Sequence, residues 1–207
     1  MSAGTFAKAT TRLFHELVTV RNAWDQFETL YFNPESVRLL NIAAPWFFAV
    51  TQRVLLDDVV LRVARLVDKP RKENLTIDVL LRDPALASQP DVEAELVKAI
   101  DHARRQAEKI RKHRHKTIAH LDYGTAVGTA NPLPTLVNRE IVEAISALEA
   151  AYQLYKQRLY DIHTDFTLRG AGDAGALVRT LAAAEGWELR QEQEDIEMLR
   201  RQMNKPG

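Results

Sequence analysis

The apolar residues of this chain recur at three- and four-residue steps, and that spacing constrains its fold more than any other feature. Phe6, Leu13, Leu17, Val20, Trp24, Phe27 and Tyr31 fall on one stripe of a 3.6-residue helix, which predicts a first helix from about Thr5 to Phe32. No run alternates apolar and polar residues as a half-buried strand does, and glycine is sparse before Gly124. The fold class that follows is all-α: an up-and-down bundle of about four to five main helices with short accessory helices. Hydrophobic residues make up 46% of the 207, enough to fill such a core at this length.

Prolines and capping residues set the expected boundaries. Asn33-Pro34 reads as an N-cap followed by proline at the first helical position, opening a short helix to about Ala43. Pro45 breaks the path there. From Pro45 to Asp68 the chain is nearly continuously apolar, which predicts the central helix, ended by Pro70. Asn74 to Thr76 caps a short segment, Ile77 to Arg82, which Pro84 terminates. Pro90 opens a long helix toward His120, with Val92, Leu96, Ile100, Ala103, Ala107 and Ile110 on its buried stripe. Tyr123 to Pro134 holds two glycines and two prolines and reads as a loop. Asn138 caps a further long helix with Ile141, Ile145, Leu148, Tyr152, Tyr155 and Leu159 inward. Gly170 to Gly175 is a second linker, with Asp173 capping a short helix through Ala184. After Trp187 charge and glutamine dominate, as in a solvated helix or, preferably, a partly disordered tail. The expected organisation is a bundle over residues 1–168. Residues 169–207 supply a linker, short helix and charged tail, packed on the bundle or extending from it.

Composition excludes several chemistries. The 28 basic residues balance 28 acidic ones, which argues against a protein that coats nucleic acid along its whole surface and leaves room for a local basic groove. There is no cysteine, so disulfides, zinc-thiolate sites and thiol nucleophiles are excluded, in keeping with a reducing cytoplasm. Met1 to Lys8 lacks the charged-then-apolar order of a signal peptide. The most apolar window, Ile42 to Val67, is interrupted by Arg53, Asp57, Asp58, Arg62 and Arg65, unlike a bilayer span. The expectation is a soluble, cytoplasmic protein without a membrane partner.

Residues 111 to 116 read Arg-Lys-His-Arg-His-Lys, the densest positive patch. From Asp101 to Lys116, seven Lys/Arg face two acids, a local field suited to phosphate-bearing partners and offset mainly by the acidic C-terminal tail. On an ideal helix His102, Lys109, His113, Lys116 and His120 fall near one line. Arg114 lies about 120° from His120, so the two converge only if the helix is distorted or the cleft is completed by another helix or subunit. A basic run near a helix C-terminus also complements the macrodipole and can simply be solvated. His113 and His115 diverge by about 200° and cannot chelate one ion, so no metal or other cofactor is expected. His15 and His163 read as structural or solvated. Trp24, Trp46, Phe47, Phe48 and Trp187 read as core or interface.

The segment Arg114-His115-Lys116-Thr117-Ile118-Ala119-His120-Leu121-Asp122 resembles the signature of the HEPN superfamily, in which an arginine and a polar residue precede a histidine near the end of a long helix. His115 fills the polar slot, where asparagine or aspartate is more usual. Ile118-Ala119-His120 followed by Asp122, and Asp57 to Lys69 with Leu61, Arg65, Leu66 and Asp68, resemble the abortive-infection branch of Abi-U type over roughly residues 5 to 165. The resemblance implies a metal-independent endoribonuclease, antiphage or toxin-like, often a homodimer with both motifs facing a shared cleft. It implies catalytic roles for Arg114 and His120, with His113, His115, Lys116 and Asp122 contacting or orienting RNA. A cognate antitoxin or nucleotidyltransferase is a further implied partner.

Asp58, Arg62, Arg65 and Lys69 share one face of the central helix, with Asp57 and Asp68 at its margin. This is either an intrahelical salt-bridge ladder or a set from which Asp68 or Arg65 orients Arg114 or His120. Inactive relatives leave a second function class: a non-catalytic module that binds RNA, nucleotide or a partner protein through the same basic groove.

Overall fold

The computed structural model describes residues 2–71, 74–115, 136–167 and 173–203. Among them the chain is helical, with no strand. The helices are α1 (Ala3–Tyr31), α2 (Pro34–Ala43), α3 (Pro45–Leu66), α4 (Pro90–Gln106), α5 (Glu108–His113), α6 (Asn138–Tyr160) and α7 (Ala174–Met203). Two 3-10 turns, Ile77–Arg82 and Pro84–Ser88, lie between α3 and α4. Helices α2, α3 and α4 each begin on proline, whose fixed φ suits a first turn that needs no amide donor. Asn33 caps α2 as its sequence suggests, its side chain accepting from the Glu35 amide at 2.8 Å.

The chain separates into two compact units, one of Met1–Trp24 with Arg53–Leu168, the other of Asp25–Gln52 with Arg169–Gly207. In the first unit α4 packs on α6. Arg158 near the end of α6 binds Glu95 near the start of α4 at 2.5 Å, while Lys109 of α5 binds Glu140 in the first turn of α6. The two paths are therefore antiparallel. α1 also runs antiparallel to α6: Phe14 stacks on Tyr152 at 5.8 Å, and Arg21 holds Glu149 through two hydrogen bonds. Most of the expected stripes are buried, from Leu13, Leu17, Val20 and Trp24 on α1 to Ile141, Ile145, Leu148 and Tyr155 on α6, while Tyr31 and Leu159 at their ends are half-buried. In the second unit α2 packs on α7, Arg38 bridges Glu35 and Glu185 at 2.6 Å, and the Tyr31 hydroxyl donates to the Phe48 carbonyl at 2.9 Å.

Several boundaries differ from expectation. Most of the buried positions of α3 lie in its second half, at Val59, Val60, Val63, Ala64 and Leu66; in the first half Phe48 is buried, but Trp46 is 85% exposed and Phe47 62%, so among the described residues the helix is not buried along its whole apolar length. Val137, not Asn138, is the N-cap of α6. Valine has no acceptor, and the Glu140 carboxylate instead takes up the Val137 amide. Asp173 does cap α7, accepting from the Ala176 amide at 2.8 Å. That helix, however, continues past Ala184 to Met203, correcting the expectation of a short helix and a frayed tail. Its Glu, Gln, Arg and Leu residues are adequate helix formers without extensive core contact. The expected loop Tyr123–Pro134 lies outside the described residues.

Pro84 does not merely end the preceding turn. Asp83 before it is buried and caps Pro84–Ser88 through the Ala85 amide at 2.9 Å. Its other oxygen accepts from the Tyr155 hydroxyl at 2.7 Å and from Tyr160, fastening the turns to α6. Burial pushes the carboxyl pKa up, but the Tyr160 hydroxyl, the Ala85 amide, the Tyr155 hydroxyl and the Lys156 charge outweigh it and hold it below the usual carboxylate value. A depressed pKa stabilises the fold above the unfolded value of about 3.9 and loses that contribution as pH falls through the folded pKa. Asp83→Asn is expected to cost about 2 kcal/mol in urea unfolding at pH 7. The gap to wild type should persist to about pH 5 and close below about pH 4.

Candidate functional site

Helices α4 and α5 part at Ala107, where ψ is 2°. Hydrogen bonding carries across the break, from the Ala107 amide to Ala103 at 3.0 Å and from the Arg111 amide to Ala107 at 2.9 Å. The buried stripe therefore continues, with Ala103, Ala107 and Ile110 all fully buried. Four residues beyond Ile110 the next position on that stripe is Arg114. A cation drawn under the surface there needs a counter-charge, and Asp68, just past α3, supplies it. Nη2 of Arg114 donates to Oδ1 at 2.8 Å and to Oδ2 at 2.7 Å. Both side chains are half-buried, and Nε of Arg111 stands 3.5 Å from the same carboxylate. At Arg114 and His115 the backbone widens into a π turn, a distortion common at functional sites. Ideal-helix angles accordingly do not apply at Arg114 and His115.

Arg114 and Asp68 line a cleft of about 500 Å³ together with Arg12, Glu16, Arg62, Arg65, Leu66, Asn74 and Leu75. Four arginines face two carboxylates there. Glu16 on α1 binds Arg12, and accepts from Nη1 of Arg62 on α3 at 2.8 Å, while Nε of Arg62 donates to Asp58 at 2.7 Å. Arg65, exposed in the last turn of α3, makes no side-chain hydrogen bond or ion pair among the described residues. The Asp58–Arg62 pair is the expected intrahelical ladder, but its extension leaves the helix: Arg62 reaches α1 and Asp68 reaches Arg114. Nε of Arg114 is buried without a hydrogen bond among the described residues.

The cleft thus unites Arg65, Asp68 and Arg114 of the residues singled out from sequence. His113 is half-buried and His115 exposed, and neither lines the cleft. Lys116, His120 and Asp122 lie outside the described residues. No group of three or more potential metal-binding side chains occurs among the described residues, nor does any helix long and apolar enough to cross a membrane. Acidic neighbours within the same unit offset part of the basic stretch: Arg104 pairs with Asp78 and Asp101, Lys109 with Glu140, Arg111 and Lys112 with Glu108. Arg12, Glu16 and Asn74 were not anticipated. Arg12 and Glu16 are legible as an i,i+4 pair, but nothing local shows that they face α3.

One family model, described as AbiU2 of the HEPN group, matches residues 4–174. The chain belongs to the AbiU2 family of HEPN domains. No curated protein and no solved structure matches it. The match ends at the start of α7, so most of that helix lies beyond it.

The pairing of Asp68 with Arg114 is open to a double-mutant cycle. Asp68→Ala and Arg114→Ala should each lower stability by about 1–2 kcal/mol, because each leaves a half-buried charge unpaired. The double variant should cost less than their sum by about 1 kcal/mol. Strict additivity in urea unfolding would mean that the pair is not formed in solution.

Proposed function

We propose that the chain is a metal-independent endoribonuclease that cuts RNA through Arg114 and His120, in keeping with an abortive-infection, antiphage or toxin-like role. The observation that carries this reading is the placement of Arg114. The arginine of the motif stands at a cationic cleft, held by Asp68 at a π turn, in a chain whose family match covers residues 4–174.

Cleavage of RNA through its own 2′-hydroxyl requires two services. The hydroxyl proton is removed as its oxygen attacks the adjacent phosphorus, and a proton is delivered to the 5′-oxygen as the P–O5′ bond breaks. The products are a 2′,3′-cyclic phosphate and a 5′-hydroxyl. Imidazole titrates near neutral pH and suits the proton transfers, the role assigned to His120. The added negative charge on phosphorus is met by a guanidinium fork, the role assigned to Arg114. Asp68 acts on Arg114 as a positioning residue: with both its oxygens on Nη2, it restricts the fork's rotation. His113, His115 and Lys116 contact the strand in this reading, and Asp122 orients His120. Two copies face each other across a shared cleft, so the working form is a homodimer, with an antitoxin or nucleotidyltransferase as a further class of partner. The engagement of Arg114 by Asp68 equally suits a module that binds RNA, nucleotide or protein without cutting, and the same assay separates the two.

In EDTA the wild type should release fragments ending in cyclic phosphate, and Arg114→Ala and His120→Ala should each slow release by at least about 100-fold. A wild type that leaves RNA intact would favour the binding module. Equal cutting by His120→Ala would remove that residue from the mechanism. Light scattering at micromolar concentration should give twice the chain mass; a strict monomer would rule out the shared cleft.

A further inference from the structure

We propose that Arg65 and Arg12 form a second phosphate subsite in the cleft, gripping a phosphodiester of the RNA strand other than the one Arg114 serves. The identity of the ligand as RNA rests on the ribonuclease reading; the subsite itself rests on the charges around the cleft. Each carboxylate that lines it is engaged. Asp68 is taken up by Arg114, and Glu16 is shared between Arg12 and Arg62. Arg62 has Asp58 as well. That leaves Arg65 with no acidic partner among the described residues and Arg12 with half of one. Both belong to the cleft wall, and the Arg12 side chain is 67% exposed.

An exposed arginine in the last turn of a helix is favoured by the helix dipole alone, which would explain Arg65 without a ligand. The dipole does not explain Arg12, which sits within α1 and not at its C-terminal end, yet lines the same cleft. Guanidinium forks match phosphate oxygens bidentately, and about 500 Å³ lies within the range of small-ligand sites, roughly 300–1,000 Å³. Asn74 and Leu75 on the same cleft offer an amide and an apolar surface to a base. Two cationic positions in one groove suit successive phosphates of a strand; a nucleoside monophosphate has one phosphate for both.

The test measures binding of a short 2′-O-methyl oligoribonucleotide across a range of salt concentrations. This probe lacks the attacking hydroxyl, so binding is read whether or not the protein cuts RNA. Arg65→Ala and Arg12→Ala should each weaken binding about tenfold and lower the slope of log affinity against log salt by about 0.7, the value for one lost contact to a single strand. Arg65→Lys should keep the slope and lose part of the affinity, because it retains charge without the fork. Arg139→Ala is the control for bulk charge: it removes an 86% exposed arginine of α6 that does not line the cleft. If Arg65→Ala and Arg12→Ala lose no more than Arg139→Ala, the subsite is refuted. If inorganic phosphate or adenosine monophosphate binds as tightly as the oligonucleotide, the assignment to a strand is refuted. A protein without nuclease activity that still shows the Arg65 and Arg12 losses would retain the subsite and lose the ribonuclease reading.

Discussion

The packing of α4 against α6 is the constraint on which the first unit depends. Leu96, Ile100, Ala103, Ala107 and Ile110 on one path, and Ile141, Ala144, Ile145, Leu148 and Ala151 on the other, are all essentially removed from water. Alanines within both rows let helices approach closely, and the flanking leucines and isoleucines supply most of the hydrophobic stabilisation, roughly 1.5–3 kcal/mol for each fully buried side chain. Once that stripe is buried, the rotation of α4 and α5 about their axes is set. The position of Arg114, one step further along the stripe, follows from it.

That setting places a cation on the continuation of an apolar stripe, and the fold compensates with a carboxylate from 46 residues earlier. The same problem arises with Asp83, whose charge is buried beneath the 3-10 turns and is met by two tyrosine hydroxyls and an amide. The two solutions differ in what remains for chemistry. Asp83 is saturated by hydroxyl and amide donors and fastens turns to α6. Asp68 engages Nη2 of Arg114 and, among the described residues, leaves Nε without a hydrogen bond, at a cleft wall where arginines outnumber acids.

Much of the helical framework was legible because its signals are local. Pro34, Pro45 and Pro90 open helices where proline tolerates the missing donor, and the apolar spacings on α1, α4 and α6 are the buried ones. Where local reasoning failed, a longer-range effect intervened. The apolar first half of α3 reads as core, yet Trp46 and Phe47 are exposed, since composition does not say which neighbour arrives to cover a face. Charge and glutamine after Trp187 suggested disorder, yet helix persists to Met203, because such residues form adequate helix without a core. Arg114 and Asp68 were recognised separately by sequence, and their pairing was one of several options. Arg12 and Glu16 gave only an intrahelical pair.

By itself, then, the sequence determined the all-α class and the stripes that are buried on α1, α4 and α6. These follow from periodicity and capping, which act over three or four residues and need no partner. The tertiary structure alone decided that Asp68 holds Arg114, that Arg12 and Glu16 join Arg62 at the same cleft, and that Arg65 stands there without an acid among the described residues. Ion pairs between distant segments depend on how packed helices are rotated against one another. That rotation is settled by the whole set of buried side chains at once, not by any stretch of sequence read alone.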